Sequence, residues 1–481
     1  MDTSNILLYI ILLLLVIVSI LFVIYFKKYQ NCHKNEPYII NVPAPTPKPT
    51  PTPKPTPTPA QSISNELAEF IKGMPKTALH MHIEGSLEAP MAFSLAQKHN
   101  MIPLNVPKTG GGNTIVKTLA DLEKVYQFDD LESFLNVYNT LATALKDKED
   151  FTALAYAYCK KAMSENIKHA EIFFDPQTHI SRGISFADVV DGIQEGLEMG
   201  RVKGLNIELI CSFLRDHPVG NPTDNSPNYM SKNPNSNPTA WDTVKQCVEY
   251  NKTTLMAGGA PESRKPSFFI VGMGLDNDEV GFPPELFQQV YKYGMANGLY
   301  AVAHGGEEGP PEYIWECINN IKCIRVDHGV RSIEDPQLVA YLSTPQTSEE
   351  ILKFYGQPHQ IPVTVCPLSN YKLDVFPDPT RTNIIEMLDM GIMATVNSDD
   401  PAYFGGYVTE NYLMLLKYLH PQVAKGRPID LADIKRLCIN GFNASVLPID
   451  KKLAYINEVN NYFLTSPGIL YKNYINEYHN K

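Results

Sequence analysis

The chain has 481 residues, 44% apolar and 19% charged, so it can bury a substantial core. Its formal net charge of -11, with Lys and Arg scattered rather than clustered, excludes a nucleic-acid-binding surface, which needs a basic stripe. The eight cysteines (Cys32, Cys159, Cys211, Cys247, Cys317, Cys323, Cys366 and Cys438) form no C-x-x-C pair. That pattern favours reduced, buried thiols over a disulfide framework.

Ile6 to Phe26 is an apolar stretch of 21 residues whose one small polar member is Ser19. As a helix it is long enough to span a hydrocarbon core of about 30 Å. The start is acidic (Asp2), and Lys27 and Lys28 follow the stretch directly. A signal peptide has the opposite flank and a shorter apolar core, so a retained single-pass membrane anchor is expected, with the body cytosolic. From Pro43 to Pro59 proline occupies every odd position, mostly alternating with threonine. This composition favours polyproline II, a semi-rigid spacer of roughly 50 Å. The expected organisation is an anchor over 1–30, a linker over 31–65 and a catalytic domain over 66–481.

Eight apolar runs follow in the body, each ending in polar or glycine residues. They are Thr77–His82, His169–Asp175, Asn206–Leu214, Ser267–Leu275, Leu299–His304, Cys323–His328, Ile361–Cys366 and Ile392–Asn397. Amphipathic stretches lie between them, among them Phe151–Asn166, Ser185–Gly200, Pro284–Asn297, Pro311–Asn320 and Thr382–Met390. Eight buried strands alternating with helices predict a closed (β/α)8 TIM barrel. An open doubly wound sheet is the alternative, but no Gly-rich first turn supports it. Gly110 to Asn113 reads as a flexible loop, followed by a helical region over Leu119 to Leu145 that can roof the site. His217–Pro238 reads as a long surface loop, and Ser343–Gln360 as a smaller insertion.

In such a barrel the chemistry stands at the C-terminal strand ends. Strand one ends in His80 and His82, which share a face because strand side chains alternate. Strand five ends in His304-Gly305-Gly306-Glu307, strand six in Asp327-His328-Gly329, and strand eight in Asn397-Ser398-Asp399-Asp400-Pro401. Three imidazoles and one carboxylate (His80, His82, His304 and Asp399) suit one Zn²⁺ with a position left for water. Zinc lowers that water's pKa toward about 7. His328 then stands by as general base or as a group that orients the water. Glu307 is placed to deliver a proton, and Asp400 to bind a substrate edge. The chemistry implied is hydrolytic deamination or amide hydrolysis.

Taken together, His80-Met81-His82-Ile83-Glu84-Gly85-Ser86, the His304, Asp327 and Ser398 runs, and Val365-Cys366-Pro367-Leu368-Ser369-Asn370 carry a family likeness. The set resembles the motifs of the adenosine/adenine deaminase family over roughly residues 70–447. With Glu307 to Glu316 and Asp400 to Tyr407 included, it is closer to the adenine branch. The resemblance implies zinc-dependent deamination of a 6-aminopurine at C6, giving hypoxanthine (or inosine) and ammonia. It implies that His80, His82, His304 and Asp399 bind zinc, that Glu307 protonates ring N1, that His328 assists the water, and that Asp400 contacts the N7 side. Glu84 occupies a position that is typically aspartate in the nucleoside-acting branch, which makes it a candidate substrate-binding residue. The expected substrate is adenine, with adenosine as the alternative and a catalytically silent tethered binding protein as a third reading. Gly305 departs from the family's usual alanine, and looser packing behind the zinc ligand is expected. The cytidine-deaminase class is excluded, since no P-C-x-x-C follows His82-Ile83-Glu84.

Overall fold

A computed structural model describes residues 63–128, 131–220, 237–255, 267–420 and 426–465. Eight parallel strands form one sheet: β1 (Lys76–Ala78), β2 (Ile167–Phe174), β3 (Asn206–Leu214), β4 (Ile270–Asp276), β5 (Tyr300–Gly305), β6 (Arg325–His328), β7 (Val363–Val365) and β8 (Ala394–Val396). They pair in chain order from β1 to β8. Past its regular part, β1 continues as a bridging segment, with Met81 paired to Asp399 and His82 to Phe173. His82 N–H donates to the Asp399 carbonyl (3.2 Å), and Asp399 N–H to the His80 carbonyl (3.1 Å). These bonds close the sheet into a barrel, so the doubly wound alternative is set aside.

The strand expected over Thr77–His82 is thus regular only to Ala78. Beyond it the residues hydrogen-bond to neighbours on both sides without a continuous ladder. From the outside, the helix Leu431–Ala444 lies across the same seam. Its Cys438 thiol donates to Pro75 O, and its Asn440 amide donates to Ala394 O at 2.9 Å. Gly441 lets the helix approach: a Cβ there would sit 2.2 Å from Thr77 Oγ1.

Inside the barrel, below the strand ends, Arg325 on β6 spans to β2 and β1. It donates to Glu171 and, at 2.9 Å, to the Leu79 carbonyl, and both charged side chains are fully buried. Glu171 also accepts from Val446 N–H and lies 2.9 Å from His169 Nε2.

Between β1 and β2 the structure departs from the expected loop. Leu104–Pro107 and Asn113–Val116 form an antiparallel ribbon around the Gly110-Gly111-Gly112 turn, whose three glycines all have positive φ. The roof region forms the helices Leu119–Val125 and Leu131–Ala142. The Ser343–Gln360 insertion contains a helix, Glu349–Tyr355, capped by Ser348. The seven described cysteines are free and buried, as expected of reduced thiols. No helix among the described residues is long and apolar enough to cross a membrane. The 6–26 stretch, the proline-rich linker and most of the His217–Pro238 loop lie outside the described residues.

Burial opposes ionisation of Glu171, but Arg325 and His169 outweigh it and bring its pKa from 4.5 down to about 2. A carboxyl with a depressed folded-state pKa contributes stability at neutral pH that is lost as pH falls from about 4.5 toward 2. Glu171→Ala leaves Arg325 buried and unpaired. It is expected to cost about 3–5 kcal/mol in denaturant unfolding at pH 7 and to flatten the acid dependence.

Candidate active site

The seam that closes the barrel also assembles a cluster of metal donors. His80 and His82 extend from β1, His304 stands on β5 and Asp399 follows β8, and all are nearly or fully buried. His82 Nε2 lies 3.3 Å from His304 Nε2 and 3.6 Å from Asp399 Oδ1, while His80 Nε2 is 3.5 Å from Asp399 Oδ1. A tetrahedral zinc with bonds of about 2.0–2.1 Å separates its donors by about 3.3–3.4 Å. The spacing therefore fits such an ion, and His80 Nε2 is buried with no other partner. His328 joins the group: donor atoms of His80, His304, His328 and Asp399 all lie within 4.8 Å of one another. His328 and Asp399 both hold left-handed backbone at φ 59°, a strained conformation for side-chain-bearing residues.

Contacts on the far side of each ring orient the donors. His80 Nδ1 meets Thr364 Oγ1 at 2.9 Å, and Thr364 in turn donates to Asp327 (2.9 Å). His82 Nδ1 faces Asp276 Oδ2 at 3.3 Å. His328 Nε2 lies 3.3 Å from Glu307 Oε2 and 3.6 Å from Asp399 Oδ2. Asn370 donates to Glu307 Oε1 (3.0 Å) and faces His328 Nδ1 (3.3 Å), which ties the two groups together.

The pocket above these donors is lined by Glu307, Asp400, Asp175, Asp276 and Tyr138, and by Phe134 and Leu135 of the roof helix. Burial, then Asp399, pushes Glu307 well above the ordinary carboxyl range, and the same causes raise Asp400. Burial and Asp175 push Asp276 up to about 8. Asp399 is the exception. Burial opposes its charge, but His80, His328 and His82 hold it well below the ordinary range. Burial and the neighbouring His80 lower His328 to about 3, so it is neutral. So many crowded carboxyl groups fit a site built to receive a cation.

Six of the residues expected from the sequence converge here with His328, and Asp400 lies on the pocket wall. Glu84 is placed differently. It is 2% exposed and does not line the pocket. Its Oε1 accepts from Asp175 N–H (3.2 Å) and lies 2.8 Å from His179 Nε2, so it stands behind the wall. Asp175, Asp276, Tyr138 and Asn370 were not anticipated as site residues. Tyr138 donates to Asp175 Oδ2 at 2.9 Å. Asp175 ends one apolar run and Asp276 follows another, so strand-end position was an available signal for both.

The profile described as adenosine deaminase matches residues 75–223 and 264–462. The chain belongs to the adenosine deaminase family. Among curated relatives in this family, an adenine deaminase from Chlorobium phaeobacteroides is 38% identical over 82% of this chain and 98% of that protein. One from Stutzerimonas stutzeri is 40% identical over 75% of this chain and 95% of its own length. The crystal structure of an adenine deaminase from Arthrobacter aurescens superposes with a TM-score of 0.63 at 31% identity, covering 82% of this chain and all of that one. Like the family's barrels, this one carries its polar groups at the C-terminal strand ends.

One family departure is resolved by geometry. Gly305 does not loosen the packing behind His304, because Cys317 fills the space. A Cβ at Gly305 would meet Cys317 Sγ at 2.9 Å and Val326 Cγ1 at 3.4 Å. Gly305→Ala is expected to overpack this contact and to destabilise by about 1–3 kcal/mol in thermal or denaturant unfolding. Pairing it with Cys317→Ala should restore part of the loss.

Proposed function

We propose that this chain is a zinc-dependent adenine deaminase, converting adenine and water to hypoxanthine and ammonia. The observation that carries this reading is a neutral Glu307 carboxyl held by Asn370 beside a buried donor set that fits zinc. The relatives named adenine deaminase along most of the chain support adenine as substrate.

His80, His82, His304 and Asp399 would hold the ion, one per chain, with His328 at its edge. When bound, zinc supplies an activated water. Asn370 donates to Glu307 Oε1, which leaves Oε2 to carry the acidic proton toward ring N1. The same amide faces His328 Nδ1, so the imidazole proton sits on Nε2, facing Asp399 and Glu307. His328 in this tautomer orients the attacking water rather than removing its proton. Asp400, kept neutral by burial, has an O–H to offer the N7 side of the purine. Protonation of N1 makes C6 electron-poor, water adds there, and the C6–N6 bond breaks to release ammonia. The roof residues Phe134 and Leu135 exclude bulk water from the pocket. Glu84 contributes to the choice of base over nucleoside from behind the wall, by fixing the Asp175 backbone.

Ammonia release from adenine should exceed that from adenosine at equal, zinc-loaded enzyme; a large preference for adenosine overturns the substrate assignment. Glu307→Gln should abolish turnover with zinc still bound, and undiminished activity would refute its role as proton donor.

We also propose that residues 1–30 anchor the protein in a membrane, with the catalytic body over 66–481 on the cytosolic side of the linker. The support is the length of the apolar stretch and its lysine flank. Deleting residues 1–60 should give a soluble protein of unchanged specific activity, whereas the full chain should partition with membranes and resist carbonate extraction.

A further inference from the structure

Glu307 sits on a loop, Gly306 to Gly309, between β5 and the helix Pro311–Asn319. Four consecutive backbone N–H groups of that loop point at a single side chain. Glu279, 3% exposed in the turn after β4, accepts from Gly306 through Oε1 (2.6 Å). Its Oε2 accepts from Glu307 (3.0 Å), Glu308 (2.9 Å) and Gly309 (2.9 Å). Buried backbone N–H groups need acceptors, and an ionised carboxylate alone among side chains offers about four lone-pair sites on two oxygens. The loop's carbonyls are held from the other side. Arg331 N–H donates to Gly306 O (3.0 Å), and Arg331 Nη1 to Glu308 O (2.9 Å).

A buried cation balances Glu279. Arg215, 1% exposed just past β3, places Nη1 4.0 Å from Glu279 Oε1 and donates through Nη2 to the His304 carbonyl at 2.6 Å. The guanidinium therefore lies between a metal-donor backbone and the carboxylate that grips the Glu307 loop.

We propose that Glu279 is a positioning residue for the deamination. It fixes the backbone from which Glu307 reaches the substrate and holds that loop in register with His304 through Arg215. The inference rests on Glu307 being the proton donor. Misplacing a reacting group by about 1 Å costs on the order of 10²-fold in rate, so a loosened loop should act on turnover before binding.

The test compares Glu279→Gln, Glu307→Gln and the parent by kcat and KM for adenine, expressed per bound zinc. Glutamine keeps the shape of Glu279 but turns an NH2 toward backbone donors. The expected result is a kcat lower by about 10²-fold with KM changed by no more than about threefold. A kcat per zinc within about twofold of the parent overturns the proposal, as does a change confined to KM or to thermal stability. If Glu279→Gln does not fold, Gly309→Ala decides by the same criteria. Its Cβ would lie 2.8 Å from the Glu279 carboxylate and 2.5 Å from the Tyr313 ring, which disturbs the grip without removing the charge. Full activity in Glu307→Gln would sink the proton-donor reading itself. A silent Glu307→Gln beside a fully active Glu279→Gln would sink only the positioning role.

Discussion

Closure of the barrel at its first-to-last-strand seam is the constraint on which the site depends. The two backbone bonds that join His80 and His82 to Asp399 are made by residues whose side chains supply metal donors. Donors more than 300 residues apart in the chain are thereby brought to tetrahedral spacing by ordinary strand pairing. The helix Leu431–Ala444 covers the seam from outside, while the Arg325–Glu171 pair ties three strands together below it. Fold stability and donor geometry are consequently the same problem here. A bound ion that prefers the closed seam will stabilise the native chain by mass action.

The pocket's electrostatics follow from the same crowding. Carboxyl groups of Asp175, Asp276, Glu307, Asp399 and Asp400 share a buried volume, and they cannot all be ionised together. Asp399 keeps its charge because imidazoles surround it; Glu307 and Asp400 are pushed toward the neutral form. One fold thus sets metal-binding carboxylate and proton-donating acid within the same few ångströms, by environment rather than by residue type. Glu279, with its four N–H partners, belongs to the opposite regime: its charge is used to hold backbone.

The eight strands and the metal donors were legible because each carries a local signal. Apolar runs mark buried parallel strands, and a histidine or aspartate at such a run's end marks the barrel mouth. Strand ends were less legible: the run Thr77–His82 looks like one strand, yet closure demands that its second half bond to both neighbours. The Leu104–Val116 ribbon was missed although its first strand alternates buried and exposed, because the glycine-rich turn was read as loop alone. Asn370, Arg215 and Glu279 left no usable spacing, since each acts on groups 27 to 89 residues away in the chain. Glu84 shows the converse, a residue well placed in the motif whose side chain turns to His179 and away from the pocket. Gly305 made sense only once Cys317 was seen behind it.

The most direct measurement is stoichiometric zinc reconstitution of metal-free enzyme, followed by ammonia release from adenine. A seam site of four donors predicts activity that rises linearly and saturates at one zinc per chain, with a parallel rise in thermal stability. Undiminished turnover by the metal-free protein, or activity that requires a second zinc, would contradict it.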